Sequence, residues 1–202
     1  MKPGRALPSL AILLLGLGAC TAASRAPAAF DAPMTVEAFD GPRLAREISR
    51  ETNRVRATFG LPPLDPGAAL DAAADEQAVH MLMIAAVDHS NPVPGETTAR
   101  DRVLRVGADP EAIGENALME PAVRPAGSAE PGYTYVGYAA FMVDAWMNSP
   151  GHRANILSPG FTEMGCAARL GRGPRRGDFR VYADQVFIRP RESGTRGPHL
   201  GP

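Results

Sequence analysis

The chain has 202 residues, 45% of them hydrophobic and 21% charged, with a formal net charge of −1. These values suit one domain with a real core and exclude a chain disordered throughout. They also exclude a nucleic-acid partner: the one basic cluster, Arg172 to Arg176, is short and falls in a Gly/Pro turn, without the interleaved aromatics of a binding stripe.

The N-terminus reads as an address. Lys2 and Arg5 precede an apolar run, Leu10 to Leu17, too short to span a bilayer as a mature helix, and Leu17-Gly18-Ala19-Cys20 follows. Residues 1–19 are therefore expected to be an export signal, with cleavage before Cys20 and acylation of its sulfur. The rival is cleavage at the small-x-small site Ala26-Pro27-Ala28, which discards Cys20. Acylation also explains why an exported chain has two cysteines, Cys20 and Cys166, that need not pair. Cys166 lies in an apolar strand pattern and is expected to be a small core residue. Residues 20–40, rich in Ala and Pro, are expected to be a flexible tether.

A first helix is predicted from Gly41 to Phe59, capped by Asp40, with Pro42 in its first turn and Leu44, Ile48, Val55 and Phe59 on one face. Asp65-Pro66 is expected to open a second, Ala-rich helix carrying Leu70, Ala74, Ala78, Met81 and Ala85 inward and ending near Val87. Glu76 and His80 have the i, i+4 spacing of a metal pair, but that spacing is commoner on a solvated helix face. Asp88-His89-Ser90-Asn91-Pro92 then reads as a turn.

A short helix follows over Thr97 to Gly107, with Thr98 and Asp101 at its start and Val103 and Leu104 inward. Gly114-Glu115-Asn116-Ala117-Leu118 is expected to be extended, and Met119 to Gly132, with three prolines and two glycines, a loop. Tyr135 to Met147 has an apolar stripe of Val136, Ala139, Ala140, Val143, Trp146 and Met147, with Trp146 in the core. Ser149-Pro150-Gly151 is read as a break that leaves His152 and Arg153 on a turn. Met164 to Leu170 and Phe179 to Ile188 alternate as a hairpin, and residues 189–202 read as a disordered tail.

Three stretches, Asp88-His89-Ser90, Gly114-Glu115-Asn116 and Trp146 to Leu157, in this order and spacing, resemble the CAP superfamily of cysteine-rich secretory, antigen 5 and pathogenesis-related 1 proteins, in its bacterial branch. The likeness runs from Leu44 to Phe187 and implies an α+β fold: an α-β-α sandwich with a small antiparallel sheet between helical layers, here over 41–188. It also implies a cleft with two His and two acidic residues. His89, Glu115 and His152 match three of these, while Ser149 stands at the second acidic place, which weighs against a full-tetrad mechanism.

Two imidazoles and a carboxylate are a competent ligand set for a divalent cation such as Zn²⁺ or Mg²⁺, and equally a metal-free hydrogen-bond network. Asn116, Ser149 and Arg153 flank them as further cleft candidates. Three functions follow from the resemblance. The leading one is a binding module for a lipid, a peptide or a divalent cation at the cell envelope, anchored to the membrane through the N-terminal lipid. In a diderm host this means the outer membrane facing the periplasm, and without the lipid a secreted or periplasmic protein. The alternatives are a metal- or His/Glu-dependent hydrolase and a structural or adhesive envelope protein. No Gly-x-Ser-x-Gly or His-Glu-x-x-His motif supports the hydrolase.

Overall fold

A computed structural model describes residues 33–123, 132–173, 175 and 178–191. The expected signal, Cys20 as the expected acylation site, and residues 192–202 of the expected tail lie outside the described residues. Helix α1 (Gly41–Thr58) begins as its sequence dictates: the Asp40 side chain accepts from the Arg43 N–H, and Pro42 occupies the first turn. It is followed by strand β1 (Asp65–Pro66) and helices α2 (Ala68–Ile84) and α3 (Ala99–Arg105). Strand β2 (Pro110–Pro121), helices α4 (Tyr135–Met147) and α5 (Pro150–Ile156), and the hairpin β3 (Glu163–Arg172) and β4 (Phe179–Pro190) complete the chain.

The strands lie in the order β1-β3-β4-β2, antiparallel except for β1, which runs parallel to β3. Both faces of this sheet are covered, so its period-2 pattern serves two cores. Met164, Cys166, Ala168, Val181, Ala183 and Phe187 pack under α1, α4 and α5 with Leu44, Ile48, Met142 and Trp146. Ala167, Val186 and Ile188 pack under α2 and α3 with Leu70, Ala74, Ala78 and Val103. The α+β sandwich is thus as expected, and Cys166 is a buried free thiol.

Several local expectations give way to hydrogen bonding. Asp65-Pro66 does not open α2: the Asp65 N–H donates to Thr162 O (2.9 Å) and the Gly67 N–H to Met164 O (3.0 Å), which makes these residues a strand. The segment from 33 to 40 is docked, not a free tether. Met34 is buried and donates to Tyr133 O (2.8 Å), and the Tyr135 hydroxyl accepts from the Asp40 N–H (2.6 Å). At the other end Arg189 and Pro190 belong to β4, and the Arg191 N–H reaches Asp109 O. β2 extends to Pro121, shortening the expected loop.

Three apolar residues assigned inward point out. Leu104 is 48% exposed because Val103, one position and ~100° away, takes the buried face of a two-turn helix. Val136 sits exposed in the first turn of α4, and Phe59 lies past the end of α1. The inner face of α1 instead carries the polar Thr52 and Arg56, both fully buried. Arg56 donates to Pro62 O (3.0 Å), Ile156 O (2.7 Å) and Ser158 O (2.9 Å), pinning the end of α5 against α1.

Candidate ligand-binding cleft

The Gly114-Glu115-Asn116 tripeptide lies on β2, an edge of the sheet where both helical layers reach over, and each residue has a separate task. Successive side chains of a strand face opposite ways. Glu115 therefore turns toward α2 and α3, and Asn116 toward α5. Gly114 makes room: a Cβ there would stand 2.7 Å from Asn155 Oδ1 and 2.9 Å from the Phe161 ring, so any side chain would push α5 away.

On the first side, α3 delivers Arg102. A capping box fixes the helix start, with the Asp101 N–H donating to Thr98 Oγ1 (3.2 Å) and the Thr98 N–H to Asp101 Oδ2 (2.9 Å). The guanidinium is fully buried, donates to Glu96 O (3.0 Å) and forms an ion pair with Glu115 Oε1. Glu115 Oε2 faces His89 Nδ1 at 2.8 Å. His89 is held on its turn from both sides: Gln77 Nε2 donates to Asp88 O (2.6 Å), and the Ser90 N–H donates to Asp88 Oδ1 (2.9 Å). The result is a chain from a buried cation through a buried carboxylate to an imidazole whose side chain is 55% exposed.

On the second side, Asn155 Nδ2 donates to Glu115 O (3.0 Å) and Asn116 Oδ1 (2.9 Å), and Asn116 Nδ2 donates to His152 O and Gln185 Oε1 (3.3 Å each). These bonds lash α5, and His152 with it, to β2. His152 and Arg153 are not on a turn, as the Ser149-Pro150-Gly151 sequence suggested. Pro150 occupies the first turn of α5, where its missing N–H costs nothing, so it starts a helix instead of only ending one.

The electrostatics follow from the geometry. The hydrogen bond to Glu115 raises the His89 pKa above the ordinary imidazole value despite partial burial. Burial, and then the neighbouring charge of His89, lowers that of His152. Asp184, on β4 behind Glu115, is fully buried with neither carboxylate oxygen hydrogen-bonded among the described residues. Its pKa is raised well above the ordinary carboxylate value by burial and then by the charge of Glu115, which Arg102 offsets only in part.

Ser149 is the N-cap of α5 and makes no capping bond through its side chain; Arg153 lies over the Phe59 ring, 5.2 Å from its centroid. Among the described residues no Ser, Thr or Cys side chain hydrogen-bonds to either imidazole. Nor do any three His, Cys, Asp or Glu side chains group to hold a metal ion. Glu76, half of the His80 pair, is instead ion-paired with Arg105. Sequence reasoning gave Arg102, Asn155 and Asp184 no role in the site. Asn155 lay within the Trp146 to Leu157 run, but nothing in the one-dimensional pattern placed Asp184 behind Glu115.

Residues 50–183 match the model of the CAP, or cysteine-rich secretory protein, family. The chain belongs to the CAP family. It is 31% identical over 150 residues to the Bacillus subtilis (strain 168) protein YkwD, an alignment that covers 71% of this chain and 50% of YkwD. The chain thus spans half the length of that curated relative. Among solved structures, an extracellular Bacillus anthracis protein containing an SCP domain superposes with a TM-score of 0.55 at 24% identity, over 78% of this chain and 45% of the other. An outer surface protein of Borrelia burgdorferi superposes with a TM-score of 0.54 at 16% identity, over 75% of this chain and 96% of the other. Both show the same CAP fold.

Proposed function

We propose that this CAP protein is an exported, lipid-anchored binding module of the bacterial cell envelope, and that its cleft takes a divalent cation or a polar, peptide-like ligand on His89 and His152. The observation that carries the reading is the commitment of Glu115. One carboxylate oxygen is held by buried Arg102 and the other by His89 Nδ1, so the acid orients the ring and leaves the outer nitrogen of His89 without a hydrogen bond among the described residues. A carboxylate placed this way is the usual outer support of a metal-binding imidazole.

Glu115 does not fit as a third metal ligand, since a cation would have to displace a buried guanidinium from it. Two imidazoles suit Zn²⁺ better than Mg²⁺, which prefers oxygen donors. A Zn²⁺ ion held by His89 and His152 would offer open positions to a carbonyl or carboxylate of a second ligand. The polar rim favours this chemistry over an acyl chain, which needs an apolar groove. The extracellular and outer-surface descriptions of the two structural relatives, together with the Leu17 to Cys20 ending, support export and anchoring.

Native mass spectrometry of the protein purified without added metal tests the reading as a whole. A mature chain beginning at acylated Cys20 with substoichiometric or full Zn²⁺ is expected. An unacylated mature chain would refute the anchor, and failure to take up Zn²⁺ on titration would refute the cation site.

A further inference from the structure

On the face of the sheet under α2 and α3, a polar layer interrupts the apolar packing. Leu70, Ala74 and Ala78 of α2 pack with Val186 and Ile188 of β4, and Met81 packs with Tyr182 of β4 and Ala117 of β2. Where the two clusters meet lie Gln77, one turn before Met81, and Asp184, between Tyr182 and Val186, both fully buried. Arg102 from α3 and Glu115 from β2 enter the same layer and act on Asp184 through their charges. In register, Asp184 stands opposite Ala117 on β2 and Ala167 on β3, and Glu115 is its diagonal neighbour, a separation of ~7–8 Å in a sheet.

The hydrogen bonds of this layer do not close. Arg102 donates to Glu96 O and Glu115 Oε1, Glu115 Oε2 faces His89, and Gln77 Nε2 donates to Asp88 O. Left over, buried and without a hydrogen bond among the described residues, are Gln77 Oε1, Arg102 Nε and both oxygens of Asp184. Nor do the charges close if Asp184 is ionised. Arg102 and Glu115 make one pair, and the other charged neighbours are spent elsewhere: Glu76 of α2 on Arg105, and Arg169, the diagonal neighbour on β3, on Asp75. An unpaired buried carboxylate is costly, so Asp184 keeps its proton, in line with its strongly raised pKa.

We propose that Asp184 is the charge-balancing acid of the cleft, protonated while His89 is free and ionised when a divalent cation settles on the outer nitrogen of His89. The inference rests on the cation reading above and adds to it a residue that coordinates nothing. A bound cation is the largest charge in its surroundings and favours the ionised form of nearby acids. The connection here is short: His89 Nδ1 lies 2.8 Å from Glu115 Oε2, and Glu115 is the diagonal neighbour of Asp184. On binding, the O–H bond of the Asp184 carboxyl breaks, its electron pair stays on the carboxylate, and the proton goes to the buffer. The carboxylate so formed has an open donor in its own layer, Arg102 Nε.

Infrared difference spectra and proton counting near neutral pH, with Zn²⁺ as the probe, test this on the full chain. The metal-free protein should show the C=O stretch of a buried protonated carboxyl, which Zn²⁺ removes and Asp184→Asn lacks. In calorimetry across buffers of different ionisation heat, wild type should release about one proton per Zn²⁺ more than Asp184→Asn, a difference that cancels what the imidazoles release in both. Asp184→Asn should also bind Zn²⁺ about tenfold more weakly. The infrared reading on wild type holds even where the variant does not fold. A metal-free protein without the carboxyl band, Zn²⁺ bound with the band unchanged, or equal proton release by both proteins would overturn the proposal and leave the cation site standing. No uptake of Zn²⁺ would refute the cation site itself, and the balancing role of Asp184 with it.

Discussion

His89 and His152 carry the same side chain with opposite biases. Glu115 favours the charged form of His89, and burial plus that neighbouring charge favours the neutral form of His152. The signs of their pH effects therefore oppose. His89, raised in the folded state, stabilises the fold fully below the unfolded value of about 6.5 and loses that contribution as pH rises through its folded value. His152, lowered, contributes above about 6.5 and loses its share as pH falls through its folded value. Ring ¹⁵N shifts followed through a pH titration should show His89 deprotonating last. Coincident or reversed midpoints would mean that the Glu115 contact does not hold in solution. Asp184 gives a second test at this scale. A buried carboxyl with a raised pKa costs nothing below the unfolded value near 3.9 and costs progressively more above it. The melting temperature of Asp184→Asn relative to wild type should therefore climb from about pH 4 to 7, and a constant difference would place an ionised Asp184 in the fold.

At the scale of elements, the site depends on α4 and α5 sitting firmly on β2. Trp146, fully buried near the end of α4, fills the core beneath α5, and its indole N–H finds no partner among the described residues. Trp146→Ala should cost about 3–5 kcal/mol through the cavity it leaves. Trp146→Phe, which removes an unsatisfied donor as well as volume, should cost clearly less; equal losses in chemical denaturation would show that the N–H is satisfied after all. Sequence reading located α1, α3, α4 and the hairpin because each declares itself by a cap or a sustained apolar period. It misjudged Asp65-Pro66 and Pro150 because proline marks both an ending and a beginning, and only the neighbours, Met164 for one and β2 for the other, decide which. It recognised His89, Glu115 and His152 by resemblance alone. The reasons for their company lie in long-range contacts that no local period records: Arg102 under Glu115, Asn155 across Asn116, and Arg56 holding Ile156.

At the scale of the molecule, one sheet presents two unlike edges. β2 carries the Arg102–Glu115–His89 chain on one face and the Asn116–Asn155 contacts to α5 on the other, and β3 borders a groove between α1 and α2. Cation binding by His89 and His152 is decided by thermal melts in Zn²⁺, Mg²⁺ and chelator on wild type, His89→Ala and His152→Ala. If Zn²⁺ binds only the folded chain, a free concentration ~100 times its dissociation constant stabilises wild type by about 2.7 kcal/mol. The increment should be absent in both variants, small with Mg²⁺, and fade below about pH 6 as the imidazoles protonate. Equal melts of wild type in Zn²⁺ and in chelator, or an increment that survives in both variants, would contradict a cation site on these two histidines.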